Sequence, residues 1–288
     1  MYINADKGGD ALMKYALCIT SPEIKKEFVF SMMAGSFEKK LSDMASFGYD
    51  GIELLCGYPR DCDYKYVLET CRKNGLEISD VSSGAVFTTT GLTLLGTDRQ
   101  KMKDCASLFS DMVELAARLG NHIVTIGAFR GWAKDVGSVQ IAEEILADLF
   151  ERLEPKLNDY DVKIALEPVN RGQTDIFNTC DETLSFIERS GSQNVGVLFD
   201  TYNGDAAEDD PLSALKKTLE AGKLLHFHIA DTDRMIPGMG KIDFTSYLRL
   251  LKDCNYNGYL SGELKSGPDP TAAGKTIIDN MREFEKCI

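Results

Sequence analysis

Eight short apolar segments alternate with eight longer amphipathic segments along the chain. Short runs rich in β-branched residues indicate strands. Several of them are apolar without alternation, which is typical of parallel strands buried on both faces. No shift in composition and no low-complexity linker divides the series. The pattern therefore predicts a single (β/α)8 TIM barrel that spans residues 1–288.

The predicted strands are Tyr15–Ile19, Gly51–Leu55, Glu77–Val81, His122–Ile126, Lys163–Glu167, Val195–Asp200, Leu224–His228 and Tyr259–Glu263. The predicted helices are Ser36–Phe47, Tyr64–Lys73, Arg99–Leu119, Val139–Leu157, Asp181–Arg189, Pro211–Ala221, Thr245–Cys254 and Pro270–Lys286. Residues 1–12 are expected to form a flexible N-terminal tail, and residues 23–30 a loop insertion after the first strand.

Residue types at the helix ends support these boundaries. Ser36 and Asp181 are expected to cap two helix N-termini, because a side-chain oxygen at that position accepts hydrogen bonds from free backbone N–H groups. Glycines tolerate the left-handed conformation that ends many helices. Four of them precede a predicted strand and are expected to end helices, at Gly48, Gly75, Gly120 and Gly222.

Composition restricts where the protein works and what it binds. The net charge is −13 and Lys and Arg form no cluster, so we expect no nucleic-acid partner. No apolar run approaches the length of a membrane span, and we expect no membrane association. The eight cysteines include no CxxC pair, and the first ten residues lack the apolar core of a signal peptide. We therefore expect reduced thiols and a cytoplasmic protein, assembled as a homodimer or homotetramer.

Four residues able to bind a metal end successive predicted strands: Glu167, Asp200, His228 and Glu263. They recur at intervals of about 30 residues, the length of one strand–helix unit. Because strand C-termini converge on one rim of a TIM barrel, these side chains should meet in space. Three carboxylates would repel one another there unless a cation held them. The oxygen-rich set predicts one divalent ion, with Mn²⁺ favoured, Mg²⁺ or Co²⁺ acceptable and Zn²⁺ disfavoured.

Some of these residues also have simpler structural interpretations. Asp200 is followed by Thr201 and alone would read as the N-cap of a helix. His226 and His228 point the same way, since they are two positions apart on one strand. His228 lies nearer the rim and is the predicted ligand, whereas His226 is expected to pack lower and to hydrogen-bond a carboxylate. His122 begins its strand at the opposite rim and is expected to be structural.

Charged residues in the loops that follow the strands are candidates for contacting a substrate. Arg130 and Arg234 lie in glycine-containing loops at the predicted mouth, where a guanidinium would orient an oxygen-rich substrate. A surface salt bridge is the alternative for each. Asp231 and Asp233 are candidates for a second metal site, although the three histidines of the chain are few for a multinuclear centre.

The chain resembles the xylose-isomerase-like sugar isomerases and epimerases, and within them the ketose 3-epimerases. That group includes D-tagatose and D-psicose 3-epimerases and 5-keto-L-gluconate epimerase. The resemblance runs from residues 48–53 and 91–94 through 167–171 and 200–202 to 226–240 and 262–263. It implies that the metal ligands are Glu167, Asp200, His228 and Glu263. Two substrate-contacting positions differ, with Gln173 in place of the family's glutamate and Asn203 in place of its histidine.

The resemblance and the residues together predict a metal-dependent enzyme that epimerises C3 of a free ketose or keto-sugar acid of about six carbons. Glu167 and Glu263 would act as base and acid through a cis-enediolate. Arg234, Gln173, Asn203 and Arg130 would contact the sugar. Aldose–ketose isomerisation uses the same groups, and β-elimination from an oxidised sugar and a non-catalytic sugar-binding barrel are further alternatives. The acidic background and the lack of a glycine-rich phosphate cradle favour an unphosphorylated substrate.

Overall fold

A computed structural model describes residues 13–25, 28–265 and 267–288, so the predicted tail at residues 1–12 lies outside the described part. The eight strands form a closed parallel barrel in sequence order, which confirms the predicted TIM barrel. Every predicted strand is present, with ends that differ by at most one residue. The strands are β1 (Lys14–Thr20), β2 (Gly51–Leu55), β3 (Glu77–Ser82), β4 (Ile123–Ile126), β5 (Lys163–Leu166), β6 (Val195–Asp200), β7 (Leu224–Ile229) and β8 (Tyr259–Gly262).

Ten α-helices occur in the described part of the chain. They are α1 (Phe37–Phe47), α2 (Tyr64–Asn74), α3 (Val86–Thr90), α4 (Arg99–Leu119), α5 (Val139–Tyr160), α6 (Cys180–Ser190), α7 (Thr201–Ala207), α8 (Pro211–Glu220), α9 (Phe244–Asp253) and α10 (Pro270–Glu285). The short helices α3 and α7 were not predicted, because neither is long enough to show an amphipathic period. Helix α7 directly follows β6, and α3 follows β3 after a 3-10 turn at residues 83–85, both at the rim that carries the site.

Most of the predicted caps are observed. The Ser36 hydroxyl accepts a hydrogen bond from the backbone N–H of Lys39. The glycines that follow α1, α2 and α4 are left-handed. The prediction of Asp181 as an N-cap is wrong. Thr179 caps α6 instead and accepts from the N–H of Glu182, so Asp181 falls inside the first turn.

The described part of the loop between β1 and α1 folds back over the barrel mouth. Ile24 and Phe28 pack against Cys18 in β1, Leu55 at the end of β2 and Ala85 in the 3-10 turn after β3. Two backbone hydrogen bonds hold the ends of the loop. The N–H of Ser21 donates to the Leu55 carbonyl at 2.9 Å, and the N–H of Met32 donates to the Cys18 carbonyl at 2.8 Å. The described residues of the predicted insertion, 23–25 and 28–30, therefore lie beside the mouth, where four of them line the cavity described below.

All eight cysteines are free thiols, and six of them are buried. Within residues 13–25, 28–265 and 267–288, no helix has both the length and the apolar character needed to cross a membrane.

We expect Gly131→Ala to destabilise the fold far more than Gly48→Ala. Gly131 has φ +86° and ψ −156°, a region open essentially to glycine alone, and an added Cβ would overlap the backbone carbonyl of Leu95. Gly48 is left-handed as well, but an added Cβ would meet nothing within 4 Å. The free energy of unfolding should fall by about 1 kcal/mol for Gly48→Ala and by roughly 3 kcal/mol or more for Gly131→Ala. Thermal unfolding measures the difference, and equal small decreases in Tm would contradict it.

Candidate metal centre and active site

The four predicted metal ligands meet at one rim of the barrel. Glu167 directly follows β5, Asp200 ends β6, His228 lies near the end of β7 and Glu263 directly follows β8. One potential ligand atom from each lies within 4.8 Å of those of the other three, and all four residues are buried. We refer to them below as the quartet.

The His228 ring has one nitrogen toward the three carboxylates of the quartet and the other toward the barrel interior. Nδ1 lies 3.7 Å from Asp200 Oδ2 and 3.7 Å from Glu263 Oε2, and this buried atom has no hydrogen-bond partner. Nε2 lies 2.9 Å from Glu53 Oε2. A buried polar atom without a partner is costly. An unpartnered imidazole nitrogen that faces three carboxylates therefore fits a divalent cation at this point.

A second buried polar cluster lies beneath the quartet inside the barrel. Glu53 Oε2 also lies 3.3 Å from His226 Nε2, which is 3.3 Å from Asp80 Oδ1. His226 thus packs lower and meets carboxylates, as predicted. Burial raises the pKa of Glu53, but the two imidazoles outweigh it and hold that pKa well below its usual range. Burial and the charge of Glu53 raise the pKa of Asp80 to about 7.

Sequence reasoning gave Glu53 and Asp80 no role. For Glu53 the available signal was its place in the middle of the otherwise apolar strand β2, because an isolated charge is rarely buried. In this geometry the Glu53 carboxylate is placed to accept the Nε2 hydrogen of His228. That tautomer leaves Nδ1 of His228 free as a ligand.

Arg234 reaches the site, as predicted, but it pairs with acids of the quartet. Its Nη1 donates to Glu263 Oε2 at 2.6 Å and lies 3.5 Å from Asp200 Oδ2. The guanidinium also lies over the rings of Phe30 and Tyr202, at 5.1 Å and 4.9 Å from their centroids. It therefore supplies a positive charge beside two of the three carboxylates.

The surroundings of the three carboxyl groups shift their pKa values in different directions. Burial, together with the charges of Glu263 and Asp200, raises the pKa of Glu167 to about 8. Burial also raises the pKa of Glu263, although Arg234 and His228 oppose it. Burial acts in the same direction on Asp200, but Arg234, His228 and the N–H of Asn203 lower its pKa below the ordinary value. Glu167, with a pKa of about 8, is therefore suited to exchanging a proton near neutral pH, and the pKa of Glu263 is displaced in the same direction, whereas Asp200 is suited to staying ionised.

Asp200 caps a helix and is also positioned as a candidate ligand, the two roles that the sequence left open. Its Oδ1 accepts from the N–H of Asn203 and so caps α7, while Oδ2 faces His228 and Arg234. The two oxygens of one carboxylate can serve a helix cap and a ligand position at the same time.

The two positions that differ from the family pattern lie side by side. The Asn203 side chain donates to Glu167 Oε1 at 2.8 Å and lies 3.3 Å from the amide nitrogen of Gln173. Asn203 is buried behind Glu167, and Gln173 lines the cavity above it. Asn203 is thus placed to orient Glu167, and Gln173 to contact a ligand.

The prediction that Arg130 contacts substrate at the mouth is wrong. The side chain is fully buried, and its guanidinium donates to the backbone carbonyls of Gly127, Glu167, Ile176 and Phe177. The short 3-10 turn at residues 128–130 directs it inward, where carbonyl oxygens occupy its donors. Arg130 therefore fixes the backbone that carries Glu167. Arg171, four residues after Glu167, is exposed and pairs with Glu182.

Asp231 is used within its own loop. Its carboxylate accepts hydrogen bonds from the backbone N–H groups of Thr232, Gly238, Gly240 and Ile242. Neither Asp231 nor Asp233 belongs to a group of potential metal ligands among the described residues. Asp231 instead shapes the loop that delivers Arg234 to the site.

A cavity of about 430 Å³ opens above the quartet. Three quartet members line it, Glu167, His228 and Glu263, together with Arg234 and Gln173. Arg130 and Asn203 are not part of the lining. Of the four predicted substrate contacts, the structure thus places Arg234 and Gln173 at the cavity surface.

Residues 41–285 match the family model of the xylose isomerase-like TIM barrel. The chain belongs to this family. It is similar to a D-psicose 3-epimerase of Enterocloster bolteae, with 25% identity over 77% of this chain and 74% of the relative. A 3-dehydro-D-guloside 4-epimerase of Escherichia coli is 31% identical over 41% of this chain and 45% of the relative.

Solved structures of other proteins share the architecture of this chain. The crystal structure of a 3-keto-D-glucoside 4-epimerase from E. coli superimposes with a TM-score of 0.76 at 21% identity. The match covers 95% of this chain and 100% of that one. This likeness confirms the fold.

We expect Glu53→Gln to weaken Mn²⁺ binding by about 10–100-fold, because the carboxylate that orients His228 would be lost. Glu69→Gln removes the same charge from an exposed position on α2 and should leave the Kd within about twofold. Isothermal titration of metal-free protein measures both constants, and circular dichroism confirms that each variant is folded. An unchanged Kd in Glu53→Gln would contradict the orienting role.

We expect Mn²⁺ binding to release protons near neutral pH. A carboxyl group with a raised pKa keeps its proton until the pH approaches that pKa, about 8 for Glu167, and a ligand must be deprotonated. Metal affinity should therefore rise between about pH 6 and pH 8. Titration at about pH 6.5 in two buffers with different ionisation enthalpies measures the release. Identical heats in the two buffers would show that no proton is displaced.

Proposed function

We propose that this chain is a divalent-metal-dependent sugar epimerase that inverts the carbon next to the carbonyl of a keto-sugar, which is C3 in a ketose. One observation carries the proposal. Glu167 and Glu263, both buried with raised pKa values, face one cavity from β5 and β8, three strands apart around the barrel. Two proton-exchanging groups on different sides of one substrate are what inversion at a C–H carbon requires.

The quartet is the proposed site of the metal. The unpartnered Nδ1 of His228 and the three carboxylates would supply one nitrogen and several oxygens, a set that favours Mn²⁺ over tetrahedral Zn²⁺. When bound, a divalent ion polarises a substrate carbonyl and makes the adjacent C–H more acidic.

The two glutamates then divide the proton transfers. One carboxylate takes the proton from the carbon next to the carbonyl, leaving a cis-enediolate, and the other carboxyl group gives a proton to the opposite face of the same carbon. The product differs from the substrate only in configuration, and the reverse reaction exchanges the two roles. Asn203 orients Glu167, and Arg234 orients Glu263.

The relatives support this class of reaction. Two have the names D-psicose 3-epimerase and 3-dehydro-D-guloside 4-epimerase. In both names the inverted carbon is a neighbour of a carbonyl carbon. The shared chemistry makes C4 of a 3-keto-glycoside a second candidate position, beside C3 of a ketose.

Two alternatives from the sequence use the same groups differently. β-Elimination would need a leaving group on the carbon beyond the one that loses its proton, and a sugar-binding barrel would need no proton exchange. Incubation with ketoses, keto-acids and keto-glycosides in D₂O, followed by NMR, separates the three. Deuterium at one inverted carbon supports epimerisation, release of a leaving group supports elimination, and no incorporation supports binding alone.

We expect Glu263→Gln and Glu167→Gln each to lower kcat by about 10²–10⁴-fold, since each removes one of the two proton-exchanging groups. Metal content is measured on the same samples, because both residues are also proposed ligands. Glu69→Gln serves as the charge-matched control and should retain full activity. Near-normal epimerisation by Glu263→Gln would rule out the two-glutamate mechanism.

A further inference from the structure

The cavity has two chemically different sides. Its floor is polar and contains three quartet members with Arg234 and Gln173, and the hydroxyl side chains of Ser82 and Thr125 also line the cavity. Its outer side, which we call the apolar wall, comes from three different loops and contains Ile24, Phe28, Val29, Phe30, Phe87 and Phe129. Loops that follow β1, β3 and β4 converge to form it.

Part of the apolar wall faces solvent. The side chains of Val29 and Phe87 are 62% and 56% exposed, although both line the cavity. Exposed apolar side chains scattered singly are common, but these two share a concave site with the reactive acids. Their position at the mouth fits a ligand group that covers them.

The apolar wall also adjoins the reactive groups directly. The rings of Phe28 and Phe30 pack edge to face with their centroids 5.9 Å apart. The Phe30 ring lies against the guanidinium of Arg234. Arg234 in turn donates to Glu263. A sugar seated over the quartet would therefore have this wall as its immediate neighbour.

A free hexose is poorly matched to that side of the cavity. In its open-chain form it carries a hydroxyl on every carbon except the carbonyl carbon, and each buried hydroxyl needs a partner. Thr88 and Thr89 line the same side, but both hydroxyls donate to the carbonyl of Ala85, at 2.9 Å each. Their hydrogens are therefore already committed, and the neighbouring side chains are hydrocarbon.

We propose that the substrate is a keto-sugar glycoside with an apolar aglycone, aryl or alkyl, seated on the apolar wall while the sugar ring occupies the polar floor. This inference rests on the proposed epimerase function and narrows its substrate class. It replaces the sequence-based expectation of a free six-carbon sugar. The volume of about 430 Å³ lies in the range of roughly 300–1,000 Å³ that is typical of sites for drug-sized ligands.

The first test compares substrates with the Mn²⁺-loaded enzyme. Phenyl and methyl glycosides of the same keto-sugar are assayed beside free ketoses for proton exchange and inversion by NMR in D₂O. The phenyl glycoside should have a kcat/KM at least about tenfold above that of the methyl glycoside, because its ring buries additional apolar surface against aromatic side chains.

The second test changes the apolar wall and uses a matched pair of valines. Val29→Ser and Phe87→Ser should each lower kcat/KM for the phenyl glycoside by about fivefold to tenfold and leave the methyl glycoside within about twofold. Val139→Ser replaces an equally apolar side chain, 48% exposed and outside the cavity lining, and should change neither value. Binding of unreactive phenyl β-D-glucoside, measured by saturation-transfer NMR, reports on the wall without catalysis.

The outcomes separate this inference from the proposed function. Equal kcat/KM values for phenyl glycoside, methyl glycoside and free ketose would overturn the aglycone site and leave the epimerase intact. Binding of the phenyl glucoside that depends on Val29 and Phe87, without proton exchange in any sugar, would support the wall and overturn the epimerase. A smaller oligomer for Val29→Ser or Phe87→Ser in light scattering would assign the wall to a contact between copies and overturn the aglycone site.

Discussion

Close packing of buried carboxylates at one end of the barrel is the constraint on which the rest of the site depends. Glu167, Asp200 and Glu263 lie within 4.8 Å of one another around His228, where like charges repel strongly and water does not screen them. Arg234 offsets part of this repulsion for Asp200 and Glu263. Within the described residues, Glu167 forms no ion pair with Lys or Arg, and burial together with the charges of Glu263 and Asp200 raises its pKa to about 8.

The surrounding residues restrain the quartet rather than add reactivity. Arg130 holds the backbone at Glu167, Asn203 holds its side chain, and Asp231 shapes the loop that carries Arg234. Glu53 plays the same part for His228 from inside the barrel. The proposed proton exchange at a defined carbon would benefit from side chains that are held in position before substrate binds. The fold thus places reactive groups at strand ends and assigns their orientation to buried hydrogen bonds.

The two arginines of the mouth loops illustrate why residue type and position are insufficient. From the sequence, Arg130 and Arg234 were equivalent candidates, each in a glycine-containing loop after a strand. In the structure the Arg130 side chain points inward and its guanidinium binds four backbone carbonyls. The Arg234 side chain instead lines the cavity. The difference depends on loop backbone conformation, which pattern and composition do not encode.

The sequence by itself determined the barrel, its eight strands and the quartet, because hydrophobic periodicity is local and a closed parallel barrel brings every strand end to one rim. It also indicated the family, which the match over residues 41–285 confirmed. Only the tertiary structure revealed Glu53 beneath His228, the inward turn of Arg130 and the apolar wall. These features join residues from loops and strands far apart in the chain, and their contacts depend on side-chain packing across the barrel, for which no local sequence pattern exists.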